Sequence, residues 1–194
     1  MLFGLGVTSP NDDDNEINRR ITILEDQFNL VMIMEYFEES LILLKDLLCW
    51  TFEDITYFEL NGRKDNSVHN MSESLRNTIM EWNKGDVALY QHFNRTFWGK
   101  VRDFGEERMR TEVEILRRRN QEFKARCLQN ENDIESDGET ALNMYQPQGI
   151  KMNQMQIRLE AVNDTDCLRR IYPQRVYTPI LREALLNKKK IDKA

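Results

Sequence analysis

The chain has 194 residues, 27 of them Lys or Arg and 33 Asp or Glu, for a formal charge of −6, and 40% are hydrophobic. That length holds one buried core with room for a helical appendage, and the acidic balance excludes a nucleic-acid binder that works by neutralising phosphates. Three cysteines, Cys49, Cys127 and Cys167, are too few for a disulfide scaffold and lack metal-ligand spacing.

The opening "MLFGLGVTSP" has no basic n-region, and its apolar run is too short for a signal peptide. "SPNDDDNEIN" (9–18) reads as a polar loop with solvated aspartates, and "RRITILEDQF" as a short helix with Ile21, Leu24 and Phe28 on one side. Between Phe28 and Trp50 lies the most apolar stretch, "FNLVMIMEYFEESLILLKDLLCW". It is long enough to suggest a membrane span, but Glu35, Glu38, Glu39, Lys45 and Asp46 interrupt it. Each charge near a helix centre costs roughly 2.5–3.5 kcal/mol on insertion, so no membrane span is expected here. Instead "NLVMIM" has the apolar, β-compatible character of a buried strand near 30–34. After Tyr36 the pattern turns helical, with Phe37, Leu41, Leu44 and Leu48 on one face and Glu38 and Glu39 in the first turn, where the helix dipole favours them. Cys49 follows two leucines on that face and reads as a small buried hydrophobe.

"EDITYFEL" alternates in the manner of a second strand, near 54–60. Strand, helix and strand make one βαβ unit over residues 1–62, which normally belongs to a parallel sheet. Two strands alone do not make a stable sheet, so part of the fold is expected to lie elsewhere. The remainder is mainly helical. Over 70–129 the pattern predicts helices at Ser72–Trp82 (Leu75, Ile79 and Trp82 aligned), from an Asp86 N-cap through Phe104, and from Gly105 to Cys127. Residues 130–152 read as a flexible loop and 153–194 as a helical tail, in which Thr178-Pro179 marks a helix start.

His69 and His92 have no nucleophile or carboxylate at a recognised spacing, so no catalytic dyad is assigned, and no glycine-rich phosphate loop is present. The first strand ends at Glu35-Tyr36, on the edge where parallel sheets place ligands. Glu35, Tyr36 and Glu38 are therefore candidates for binding, with helix capping as the alternative role. The loop "YQPQGIK" (145–151) suits either an anion cradle or an ordinary turn. Sequons stand at Asn70, Asn94 and Asn163, of which Asn94 falls within a helix. Cys127 and Cys167 lie among polar residues, and they pair if the chain faces an oxidising compartment or stay free if it does not.

Taken together, "MLFGLG", "EYFEESLILLKDLLCW", "DITYFELNGR", "WNKGDVALYQHFNRTFW" and "FGEERMRTEVEILR" resemble the C-terminal half of the galactose-3-O-sulfotransferase family. The similarity runs from Met1 to about Cys127; beyond Gln129 only "QPQGIK" and the "CLRR" at Cys167 remain. The resemblance implies an α/β, partial P-loop-type sulfotransferase fold, with residues 1–194 forming the C-terminal portion of a single domain. It also implies transfer of a sulfuryl group from 3'-phosphoadenosine 5'-phosphosulfate, without a metal, to the 3-hydroxyl of a terminal β-galactose on a glycolipid or glycoprotein. The family's members are anchored in the Golgi membrane with the domain on the lumenal side. The donor's phosphate loop and the catalytic residues precede the matched region, so no catalytic residue is expected in this chain and the isolated chain is expected to be inactive. Glu35, Tyr36 and Glu38 are then expected to contact the galactoside, carboxylates and a phenol being suited to hydroxyl recognition, and Lys151 to contact a donor phosphate. The alternative is a non-catalytic helical interaction module derived from such an enzyme.

Overall fold

A computed structural model describes residues 14–59, 71–129, 156–172 and 174–191. These form helices α1 (Asp14–Gln27), α2 (Phe37–Leu47), α3 (Phe52–Ile55), α4 (Glu73–Trp82), α5 (Lys84–Phe104), α6 (Glu106–Cys127), α7 (Thr165–Ile171) and α8 (Gln174–Ile191). Contacts divide the chain into two units, Met1–Ile55 with His69–Arg117, and Thr56–Val68 with Arg118–Ala194.

In the first unit, α1 buries Ile17, Ile21 and Leu24, at helical spacing, against the Leu89, Phe93, Phe97 and Val101 stripe of α5. Ile42 and Leu43 of α2, Ile55 of α3 and Met109, Val113 and Leu116 of α6 complete this core. Each fully buried aliphatic or aromatic side chain contributes roughly 1.5–3 kcal/mol. Helical spacing from Phe93, Phe97 and Val101 back to Val87 places Tyr90 on the apolar stripe of α5, but at that end the stripe departs from it: Leu89 is buried and Tyr90 is exposed. Phe28 falls one residue past the end of α1 and is 48% exposed. Gly105 separates α5 from α6 with φ +100°, a backbone conformation that favours glycine, and its N–H closes α5 onto the carbonyls of Val101 and Arg102.

The strand expectations are not met. Among the described residues there is no strand, only an isolated antiparallel bridge between Leu128 and Ile157. Residues 30–33 lie outside any helix, Met34–Tyr36 make a 3₁₀ turn, and Phe52–Ile55 form a helical turn where the second strand was expected. The physical reason is that strand residues need a neighbouring strand to take up their backbone groups, and none stands beside 30–33. The buried hydroxyl of Ser40 takes over part of that role, accepting from the Ile33 N–H at 3.0 Å and donating to the Ile33 carbonyl at 3.1 Å. Further on, the Tyr57 N–H donates to Asn120 Oδ1 at 3.0 Å.

Cys49 is also misread by its position after two leucines. The helix α2 ends at Leu47, and Cys49 lies exposed in the left-handed region (φ 54°) with its N–H on the Asp46 carbonyl, while Trp50 N–H reaches the Lys45 carbonyl. That is the reversal pattern of a helix C-terminus, where the side chain points out of the core.

The second unit is built around Cys127 and Cys167, which form a disulfide with Cα atoms 5.5 Å apart. Phe58, Leu128, Ile157, Ala161 and Ile171 pack around it, and Phe123 lies against Phe58 at 5.4 Å between ring centroids. Asp164 caps α7, accepting from the N–H groups of Asp166 and Cys167. Pro179, expected to open a helix, stands inside α8, which starts at Gln174; a proline there forgoes one ladder hydrogen bond, a loss the rest of the helix tolerates.

Candidate functional site

The three sequence-derived candidates converge on the turn that feeds α2. Tyr36 N–H donates to the Ile33 carbonyl at 3.0 Å, which closes the 3₁₀ turn and sends the Tyr36 ring toward α5. The ring stacks on Phe97, with centroids 5.7 Å apart and planes 13° apart, and meets Trp98 edge-on at 4.8 Å. Geometry of this kind adds roughly 0.5–1.5 kcal/mol per pair beyond burial. Tyr36 is half-buried and Glu35 exposed.

Glu35 has a partner that the sequence did not reveal. Tyr90, on the exposed side of α5, faces Glu35 closely enough for the carboxylate to act on its phenol. Its phenol is held above the ordinary tyrosine value, first by desolvation, then by the charge of Glu35 and by Tyr36. Glu35, Tyr36 and Tyr90 thus form an acidic–phenolic edge with one exposed carboxylate and two aromatic rings. Tyr90 was placed on the apolar stripe by spacing alone; a one-residue shift of the buried face is invisible to periodicity.

Glu38 has a different role. Its Oε2 accepts from Arg117 Nε at 2.8 Å and lies 2.6 Å from Nη2, tying α2 to α6. Two turns further along α2, Lys45 Nζ lies 2.9 Å from Glu112 Oε2, Arg108 Nε 2.9 Å from Glu112 Oε1, and Arg108 Nη2 2.9 Å from Asp46 Oδ1. The Lys45–Glu112 contact is a charge pair rather than an aligned hydrogen bond, because Glu112 Oε2 has no partner that meets hydrogen-bond geometry. Arg108, Glu112 and Arg117 of α6 therefore cross to α2.

His92 does not sit beside a nucleophile. Its Nε2 lies 2.9 Å from Glu25 Oε2 and so links α5 to α1. Asn94 is half-buried on α5 with its Oδ1 buried and unpaired, an unfavourable setting for a glycan, whereas Asn163 is exposed in the turn before α7. Asn70, His69 and Lys151 lie outside the described residues. Among the described residues no cluster of three or more His, Cys, Asp or Glu is arranged to hold a metal, and no helix is long and apolar enough to cross a membrane.

Comparison with known proteins agrees with the resemblance seen in the sequence. The family model described as galactose-3-O-sulfotransferase matches residues 1–184. Galactosylceramide sulfotransferase of Bos taurus is 41% identical over 154 residues, which is 78% of this chain and 36% of that protein. Galactose-3-O-sulfotransferase 2 of Mus musculus is 34% identical over 167 residues (86% of this chain, 42% of that protein). Galactose-3-O-sulfotransferase 3 of Mus musculus is 37% identical over 147 (75% and 34%). The chain thus spans about a third of the length of the curated relatives it matches, 36% in the bovine case. No solved structure matches it significantly.

Proposed function

The chain belongs to the galactose-3-O-sulfotransferase family, and from that premise we propose that it supplies part of an enzyme that sulfates a galactoside. The donor is 3'-phosphoadenosine 5'-phosphosulfate and the acceptor the 3-hydroxyl of a terminal β-galactose on a glycolipid or glycoprotein. The observation that carries the proposal is the 41% identity to a galactosylceramide sulfotransferase over 78% of this chain.

Sulfuryl transfer needs cationic and amide donors converging on the moving group, and Arg108 and Arg117 are already engaged by Asp46, Glu112 and Glu38. No donor step is therefore derived from them, and Lys151 remains a proposed phosphate contact outside the described residues. What this unit offers is an acceptor wall. Glu35 presents a carboxylate for sugar hydroxyls, and Tyr36 and Tyr90 present phenols and ring faces. Glu38 positions that wall by holding α2 against α6 rather than by meeting the sugar with its Arg117-bound oxygen.

The finer fold belongs to the same proposal. Among the described residues, the backbone groups of Leu30, Val31 and Met32 find no hydrogen-bond partner. Three consecutive apolar residues with free backbone groups suit a strand that pairs with a sheet from the rest of a P-loop-type domain. A lumenal, Golgi-membrane setting is supported by the Cys127–Cys167 disulfide, since such bonds persist in oxidising compartments.

The test is a chimera in which residues 1–184 replace the matching third of the bovine relative. Radiolabelled sulfate should appear on the 3-hydroxyl of a β-galactoside. A chimera that melts cooperatively yet transfers nothing would overturn the enzyme reading and favour the second one, a non-catalytic helical module. That second reading has one observation behind it: α4 exposes Leu75, Ile79 and Trp82 together, Trp82 at 81%.

A further inference from the structure

A cleft of about 300 Å³ opens where the end of α1 meets α5 in the first unit. Its lining combines the apolar Phe28, Val31 and Phe97 with the charged Glu25, Lys100 and Asp103. Phe97 is shared with the Tyr36 stack on the acceptor wall. Among the described residues neither Lys100 nor Asp103 has a hydrogen-bond or ion-pair partner, and Glu25 spends one oxygen on His92. Phe28 is 48% exposed, so an aromatic face is presented to whatever enters.

The glycine at position 99 is the second observation. Gly99 lies inside α5 and lines the cleft. A mid-helix glycine costs roughly 1 kcal/mol relative to alanine. Nothing in the fold asks for it: its φ is not positive, and the nearest atom a Cβ would meet among the described residues is Arg102 Nη2 at 4.0 Å. What a side chain there would do is occupy the cleft.

We propose that this cleft binds one pyranose ring of a neutral glycan, beyond the galactose contacted at Glu35 and Tyr36. The volume is at the small end of ligand pockets and suits a single ring. A pyranose has an apolar C–H face for Phe28 and a rim of hydroxyls that donate to Glu25 and Asp103 and accept from Lys100. Two carboxylates against one ammonium disfavour a sulfate or phosphate, and the ammonium disfavours a cation. The ligand class rests on the galactoside reading; the cleft itself does not.

Titrating the isotope-labelled full chain with methyl β-lactoside, whose second ring is a neutral glucose beyond the galactose, followed by amide NMR, tests this. Resonances of Thr96, Lys100 and Asp103 should move. Gly99→Leu fills the cleft, and Asp103→Asn removes a charged acceptor without changing shape. Each should weaken the response about tenfold, equivalent to some 1.4 kcal/mol, with the remaining spectrum unchanged. Absence of shifts in the wild type, equal shifts in Gly99→Leu, or movement of the same resonances by inorganic sulfate would each overturn the proposal. Shifts at the cleft alongside an inactive chimera would leave the sugar site standing and remove the sulfotransfer reading. An active chimera indifferent to Gly99→Leu would do the reverse.

Discussion

Ser40 and Ile33 share a two-way hydrogen bond: the buried hydroxyl accepts from the Ile33 N–H at 3.0 Å and donates to its carbonyl at 3.1 Å. One side chain on α2 thereby satisfies both backbone groups of the last residue before the 3₁₀ turn. Ser40→Ala leaves the Ile33 N–H unpaired in the core and its carbonyl with the Tyr36 N–H alone, an expected loss of about 1–3 kcal/mol. The urea midpoint should fall with an unchanged m-value. A midpoint identical to wild type would mean that Ser40 is not what holds the turn that presents Glu35 and Tyr36.

That pair also shows why the sequence was readable only in part. The helices around it were legible because their apolar residues recur at helical spacing: Ile21 and Leu24 on α1, or Phe93, Phe97 and Val101 on α5. The Ser72 N-cap of α4 was equally local, its hydroxyl accepting from Leu75 N–H at 3.3 Å. "NLVMIM" misled because an apolar run states that a segment is buried or extended, not that a neighbouring strand exists. The candidate site divided the same way. Glu35, Tyr36 and Glu38 stand out as candidates from their place at an element boundary. Tyr90, and the pairing of Glu38 with Arg117 79 residues away, depend on how helices face each other, which no local pattern encodes.

The three cysteines should behave unequally. Cys127 and Cys167 are fully buried and bonded, whereas Cys49 is free and exposed. A thiol-specific reagent should therefore label one site per native, non-reduced chain, at Cys49. Cross-linking residues 40 apart removes loop entropy worth about 4 kcal/mol on the chain-entropy account. Cys167→Ser should lower the stability of the second unit by about 2–5 kcal/mol, read by hydrogen exchange at Ile157 and Ile171. Cys49→Gly should raise stability by about 1 kcal/mol, because glycine adopts the left-handed conformation without strain.

Glu16 gives a pH signature on α1. Arg19 Nε and Nη2 and Arg20 Nε each lie 2.7 Å from its carboxylate. The hydrogen bond from Arg19, then that from Arg20, lowers its pKa from 4.5 to about 2. A carboxylate depressed in the folded state stabilises it above the unfolded pKa, and the contribution disappears as pH falls through the folded one. The window is thus from 4.5 down to about 2. Carboxyl-carbon NMR should show Glu16 titrating at the low end, and Arg19→Ala should return it most of the way toward 4.5. Because the group is exposed, added salt should shrink the difference. A Glu16 that titrates normally in the wild type would show that the pairs do not persist in solution.

The ion pairs between α2 and α6 differ in burial, and that difference sets the last expectation. Lys45 and Glu112 side chains are only 12% and 14% exposed, whereas Arg108 is 52% exposed. Lys45 also sits over the Phe52 ring, 4.7 Å from its centroid, which shields it further from water. Removing one member of a largely buried pair strands the other charge, typically at about 3–5 kcal/mol, while an exposed pair is worth about 0–1 kcal/mol. Glu112→Gln should therefore be strongly destabilising, since it leaves Lys45 and Arg108 facing a neutral amide. Arg108→Ala should cost far less, because Glu112 retains Lys45. The double variant Lys45→Met with Glu112→Leu should recover much of the loss by replacing the pair with apolar contact. Equal losses for Glu112→Gln and Arg108→Ala in a thermal melt would mean that Lys45 is solvated in practice, and that α2 is held to α6 by Glu38–Arg117 and the apolar core alone.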